Sequence, residues 1–227
     1  MYIPSIALML RGVELIIYDL DGVVIDSTKA ICTAFNQAIE DVGERSRPEE
    51  EIRGMIGVAL EEMFRRVLPE EKHDRIGCCF DRYLAIFSEV SPIHTRILDG
   101  VEETLRYFEA KGVKQTLATN KSSAEAERIL GDLGIRHLFD LVLGLNDVDA
   151  PKPSPEMILL TLERMDVEPG KAVLVEDSPT GLAAGKASGV HTVAVTTGTH
   201  AEDVLIPWEP EYTLECIRGL MEVIATT

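Results

Sequence analysis

The chain has 227 residues, with 22 Lys and Arg against 39 Asp and Glu, and a formal net charge of −17. That acidity argues against nucleic-acid binding, which needs a clustered basic face. Hydrophobic residues are 45% and charged residues 27%, the balance of a soluble globular protein with one large domain or a domain carrying a sizeable insertion.

Residues 1–10 are apolar, but Arg11 and Glu14 interrupt the run and no basic region precedes it. It is expected to be neither a signal peptide nor a membrane span, and Met9 is an alternative start to Met1. Residues 15–18 read as a buried strand that runs straight into Asp19, Asp21 and Gly22. An ionised carboxyl in an apolar setting is costly unless it is paired or metal-bound. The two aspartates therefore suggest a cation site, a nucleophile, or both. Gly22 allows the chain to turn away where a side chain would clash.

Residues 28 to about 90 read as helix after helix. The stretch 28–42 repeats apolar residues at helical spacing (Ile31, Phe35, Ala38, Ile39, Val42), and 48–55, 60–67 and 70–90 follow. Gly54, Gly57, Pro69 and Pro92 punctuate them. From Asp99 the pattern alternates: predicted helices 101–111, 124–133, 156–165 and 181–187 lead to strands 113–118, 141–143, 172–175 and 191–195. A final helix is expected over 214–224. Helices separated by short apolar strands imply a parallel sheet covered on both faces. The expected architecture is an α/β, Rossmann-like core of residues 1–27 and 94–227, with a helical cap inserted over 28–93.

Four cysteines (Cys32, Cys78, Cys79, Cys216) form no Cys-x-x-Cys pair, and the five histidines are scattered. The cysteines fit a reducing compartment, so a cytoplasmic location is expected.

Ligands of open α/β sheets bind beyond the carboxyl ends of the strands. The residues there are polar in four places: Asp19 and Asp21; Thr119, Asn120 and Lys121; the 150–155 loop with Lys152; and Glu176, Asp177 and Ser178. They should converge on one crevice. Ser122 with Glu125 has capping-box spacing, and Ser154-Pro155 and Ser178-Pro179 place a cap residue before a proline at the first helical position. Exposed helix N-termini of this kind favour an anion such as phosphate.

Carboxylates, a hydroxyl, an amide and a lysine in one crevice fit phosphoryl transfer, which relies on positioning and charge stabilisation. Asp19, Glu176 and Asp177 form a hard oxygen-donor set suited to Mg²⁺. Lys152 and the Thr119 hydroxyl would hold phosphoryl oxygens, while Asn120 reads equally as a cap or a phosphate contact. One aspartate would attack phosphorus and a second would protonate the leaving oxygen. Arg53 and Lys121 read first as solvated residues, with substrate contact as the sharper alternative.

Asp19-x-Asp21-Gly22-Val23-x-x-Asp26-Ser27, Thr119-Asn120, Lys152-Pro153 and Glu176-Asp177-Ser178 resemble the four ordered motifs of the haloacid dehalogenase superfamily. The resemblance covers essentially the whole chain. It implies Asp19 as nucleophile and metal ligand. Asp21 would be general acid/base, with its main-chain carbonyl also on Mg²⁺. Thr119 and Lys152 would bind phosphate, and Glu176 and Asp177 would serve the metal. The helical insertion matches the cap of the phosphoglycolate phosphatase and β-phosphoglucomutase branch, with substrate specificity expected around Arg53 and Gly57.

Asp21 argues against a dehalogenase, whose leaving halide needs no proton. Ile31 stands where that mutase carries a histidine, and no matching cap arginine lies near Gly57. A phosphonate hydrolase would need a cap lysine, for which Lys29 is the candidate, and Asp21 speaks against it. The leading expectation is a Mg²⁺-dependent phosphatase of a small phosphorylated metabolite, acting through an aspartyl-phosphate. A phosphomutase and a non-catalytic ligand- or partner-binding scaffold are the alternatives. Neither the substrate nor the oligomeric state follows from the sequence.

Overall fold

The computed structural model describes residues 9–225, so residues 1–8, with the candidate start at Met1, lie outside the described residues. The chain opens with β1 (Leu10–Arg11), β2 (Leu15–Tyr18) and β3 (Ile25–Asp26). Four helices follow: α1 (Thr28–Glu40), α2 (Glu49–Arg53), α3 (Leu60–Val67) and α4 (Ile76–His94). Then come β4 (Arg96–Ile97), α5 (Val101–Ala110), β5 (Lys114–Ala118), α6 (Ser123–Asp132), β6 (Leu141–Leu143), α7 (Glu156–Met165) and β7 (Ala172–Glu176). The chain continues through α8 (Pro179–Ser188), β8 (His191–Val195), α9 (Glu202–Leu205), β9 (Tyr212–Leu214), α10 (Leu220–Val223) and β10 (Ile224–Ala225).

Among the described residues the main sheet has six strands in the order β6-β5-β2-β7-β8-β9, all parallel. Its centre is β2, paired with β5 on one side and β7 on the other. All four β2 residues are buried because both sheet faces are covered. Ile16 and Tyr18 join one core with Leu105 and Phe108 of α5. Leu15 and Ile17 join another with Met157 and Ile158 of α7 and Ala184 of α8. The strand order reverses direction at β2, so Asp19 starts at the topological switch point where ligands of such sheets bind.

The first core runs on into the helical stretch between β3 and β4. There α1 packs along α4. Phe35 of α1 stacks on Phe64 of α3 with ring centroids 4.7 Å apart, and Tyr83 stacks on Phe87 within α4 at 5.5 Å. At the base of this stretch β3 and β4 pair antiparallel. Two-residue strands carry no periodicity, so neither they nor the parallel β1–β10 pair is visible in the sequence pattern.

Three expectations are corrected. The final helix does not run continuously over 214–224: residues 212–214 are the edge strand β9, paired with Val193 to Val195 of β8, and the helical part is a 3-10 turn over 217–219 leading into the short α-helix 220–223. Sheet pairing outcompetes the weak helical pattern there, as tertiary context commonly does. Pro92 does not end the preceding helix but lies inside its last turn, and the helix runs on to His94. Pro155 is the cap of α7 rather than its first residue.

The four cysteines are free: Cys32 and Cys79 buried, Cys216 half-buried and Cys78 exposed. Among the described residues no helix is long and apolar enough to cross a membrane.

Candidate active site

Asp19 and Asp21 follow β2 because the chain leaves the sheet there in a tight loop: the Gly22 N–H donates to the Ile25 carbonyl at 2.8 Å, and the Thr197 hydroxyl donates to the Gly22 carbonyl at 2.6 Å. Gly22 has φ +82°, and a Cβ there would overlap the Asp177 carboxylate. A side chain is excluded on both counts. A Cβ at Gly198 would overlap the same Asp177 oxygen, so the Asp177 carboxylate sits against backbone that only glycines can supply.

The four polar clusters meet. Lys152 Nζ donates to Asp19 Oδ1 at 2.7 Å, to Glu176 Oε1 at 2.5 Å and to the Ala118 carbonyl at 3.0 Å. Its side chain is 2% exposed, against 7% for Asp19 and 0% for Glu176, so the ion pairs are shielded from solvent. Glu176 Oε2 also accepts from the Ser178 hydroxyl at 3.0 Å. Asp19, Glu176 and Asp177 bring carboxylate oxygens within 4.8 Å of one another. Three buried acids face one lysine. Burial pushes the Asp19 carboxyl up to about 7, against the pull of Lys152, with Glu176 adding to the rise. Burial also holds Asp177 well above the usual carboxylate range, with Glu176 and Asp19 next in effect. Burial alone would lower Lys152, but Asp19 and Glu176 outweigh it and hold the ammonium above its ordinary value.

A hard divalent cation fits this donor set. The three carboxylates supply oxygen ligands, the cradle around Asp177 leaves no room for a competing side chain, and two further positive charges would relieve the carboxylate repulsion. The Asp21 carboxylate is not among the clustered carboxylates. It instead accepts from the Ser27 hydroxyl and pairs with Lys121 Nζ at 2.9 Å.

Other expected residues divide. The Thr119 hydroxyl is buried and accepts from the Lys121 N–H at 3.2 Å, which leaves its own proton free to donate. The Asn120 amide is engaged within the protein: Nδ2 donates to the Gly57 and Lys152 carbonyls at 3.0 Å each, and Oδ1 accepts from the Lys152 N–H at 3.0 Å. It therefore ties the 57 loop to the 152 loop rather than offering its side chain to phosphate. Gly57 also meets the catalytic side directly, since a Cβ there would lie 3.0 Å from Ser178 Cβ. Arg53 lies away from the site, half-exposed and 3.7 Å from Glu49. Ser122 and Ser178 accept from the N–H groups of Glu125 and Gly181, capping α6 and α8 as their spacing predicts.

Lys121 is the residue sequence reasoning undervalued. Its side chain is 11% exposed, and its Nζ lies 4.8 Å from the Phe87 ring centroid as well as against Asp21. Burial alone would lower its pKa, but Asp21, Tyr83 and Glu125 raise it above the ordinary value. Its position beside Thr119 at a strand end was the available signal.

A cavity of about 230 Å³ is lined by Asp19, Asp21, Thr119, Asn120 and Lys121, together with residues of α1, α3, α4 and the 56–58 loop. Ile31 is one of them, so no histidine is available at that wall.

A parallel α/β sheet with acids, a buried lysine and a hydroxyl at its switch point, facing a cavity, is the active-site arrangement of a doubly wound α/β enzyme. Residues 16–195 match the model of the haloacid dehalogenase-like hydrolases, and the chain belongs to that family. It is 34% identical to Probable phosphatase IndB of Dickeya dadantii over 87% of each chain. It is 29% identical to the phosphoglycolate phosphatase of Aquifex aeolicus over 82% of this chain and 85% of that one. Among solved structures, a haloacid dehalogenase-like family hydrolase from Streptococcus pneumoniae superposes with a TM-score of 0.82 at 23% identity, covering 93% of this chain and 97% of the other. The chain is an enzyme of the family's phosphatase class.

Proposed function

We propose that the protein is a Mg²⁺-dependent phosphatase of small phosphorylated metabolites, working through an aspartyl-phosphate on Asp19. The observation that carries this reading is the buried set of Asp19, Glu176 and Asp177 oxygens within 4.8 Å, joined by Lys152, beside a cavity of about 230 Å³.

Asp19, Glu176, Asp177 and the Asp21 main-chain carbonyl would hold the ion, which supplies charge neutralisation for the phosphoryl group. A carboxylate oxygen of Asp19 attacks phosphorus, so a phosphorus–oxygen bond to Asp19 forms as the ester bond breaks. Asp21 gives its proton to the departing oxygen. Water then attacks the phosphorylated aspartate, returns a proton to Asp21, and releases phosphate with Asp19 regenerated. Thr119 and Lys152 hold the equatorial oxygens, where charge spreads in the transition state. Lys121, paired with the Asp21 carboxylate, and Ser27 fix its orientation.

Residues 28–93 are read as a cap over a core of 1–27 and 94–227, with the Asn120 amide latching the 57 loop across the site. A closed cap excludes water from the reacting phosphate. The free cysteines suit a reducing cytoplasm.

The test is phosphate release from a panel of phosphomonoesters, with Mg²⁺ and with chelator. Metal-dependent release that vanishes in Asp19→Asn supports the reading. No release from any ester, including an aryl phosphate, refutes it.

A further inference from the structure

The cavity walls carry information that the catalytic floor does not. Apart from the floor, they are built from Ile31, Ile56, Leu60, Met63, Phe80 and Leu84, with Tyr83 beside them. Most polar groups that reach the cavity hold partners within the protein, though the Ser122 hydroxyl keeps its own proton free to donate. Asn120 holds three main-chain partners, and Asn146 bonds both the main chain and the hydroxyl of Ser123. The Ser122 hydroxyl accepts from Glu125. The Lys121 ammonium is paired with Asp21. Among the described residues no other cation lines the space.

One wall residue breaks this pattern. Glu125 lines the cavity, and its Oε1 is buried without a hydrogen-bond partner. Burial raises its pKa, with Lys121 opposing. A buried acceptor of this kind is costly to leave alone, and it repels any anion brought beside it. The charged side chains lining the cavity are thus three acids and one lysine.

We infer that the site takes phosphomonoesters whose body bears no second anionic group, and that Glu125 turns such anions away. This rests on the phosphatase reading above. A carboxylate body would meet Glu125 with no free cation to receive it. A benzyl body fits the space: an apolar cavity of about 150 Å³ holds a benzene ring, and about 230 Å³ leaves room for a phosphate beside one.

The experiment measures kcat/KM with Mg²⁺ for benzyl phosphate, glycerol phosphate and phosphoglycolate, in the natural protein and in Glu125→Gln and Glu125→Lys. Benzyl phosphate and glycerol phosphate should both exceed phosphoglycolate by tenfold or more. The benzyl-to-phosphoglycolate ratio should fall at least tenfold in Glu125→Lys, and by a smaller factor in Glu125→Gln. A general structural defect would lower all three esters and leave that ratio unmoved. Equal or better turnover of phosphoglycolate by the natural protein overturns the inference while sparing the phosphatase reading, as does a ratio unchanged in both variants. Absence of phosphate release from every ester removes both.

Discussion

Lys152→Met tests the electrostatic reading most directly, because methionine keeps most of the length and apolar volume of the side chain and removes only its charge. The ammonium touches Asp19 at 2.7 Å, Glu176 at 2.5 Å and the Ala118 carbonyl at 3.0 Å, all shielded from solvent. Removing one partner of a buried ion pair costs about 3–5 kcal/mol, because the remaining charge is left uncompensated. For a chain of this size each kcal/mol shifts Tm by roughly 2–4 °C, so metal-free Lys152→Met should melt about 6–20 °C below the natural protein at pH 7.5. The deficit should shrink when Glu176→Gln is added, since that removes one of the stranded carboxylates. It should also shrink with Mg²⁺, which replaces the lost positive charge. Loss of a phosphate-holding cation should lower kcat about 10²–10³-fold. The assay is thermal melting with chelator and with Mg²⁺, beside initial rates. A metal-free Tm within 2 °C of the natural protein refutes the reasoning, since about 1 kcal/mol or less would then separate the two.

The remaining predictions follow from the same site. Asp21→Asn should slow hydrolysis of alkyl phosphates by about 10²–10⁴-fold but affect a nitrophenyl ester far less, because that leaving group needs no proton; equal losses on both esters would remove Asp21 as proton donor. Burial raises the Asp19 carboxyl from 3.8 unfolded to about 7 folded, so the folded state binds its proton more tightly. The associated stability is present below pH 4 and is lost as pH rises toward 7. Metal-free protein should therefore melt lower at pH 7.5 than at pH 5, and Mg²⁺ should raise Tm more at the higher pH; a flat metal-free profile would contradict this. Gly22→Ala combines a φ of +82° with overlap on Asp177 and should cost about 1–3 kcal/mol in stability, together with weaker Mg²⁺ binding by calorimetry. Unchanged Mg²⁺ affinity in a folded Gly22→Ala protein would exclude Asp177 as a ligand.

The sequence by itself determined the strand residues 15–18, the alternation that makes the sheet parallel, and the polar clusters at strand ends. Each is a local pattern: a short apolar run, a helical period, a cap residue before proline. The family follows from the same motifs, because Asp19, Thr119, Lys152 and Glu176 stand in order at four chain positions. Only the tertiary structure decided which groups share their charges. Lys152 and Asp19 are separated by 133 residues and Lys152 and Glu176 by 24, yet they meet in one buried knot. Lys121 and Arg53 look alike as single basic residues in polar surroundings. Folding buries Lys121 against Asp21 and Phe87, and leaves Arg53 on the surface beside Glu49. The same holds for β9, whose strand state is decided by the edge of the sheet beside it and not by its own three residues. Burial and pairing depend on groups distant in the chain, and those two quantities set the pKa values, the metal fit and the apolar cavity on which the chemistry depends.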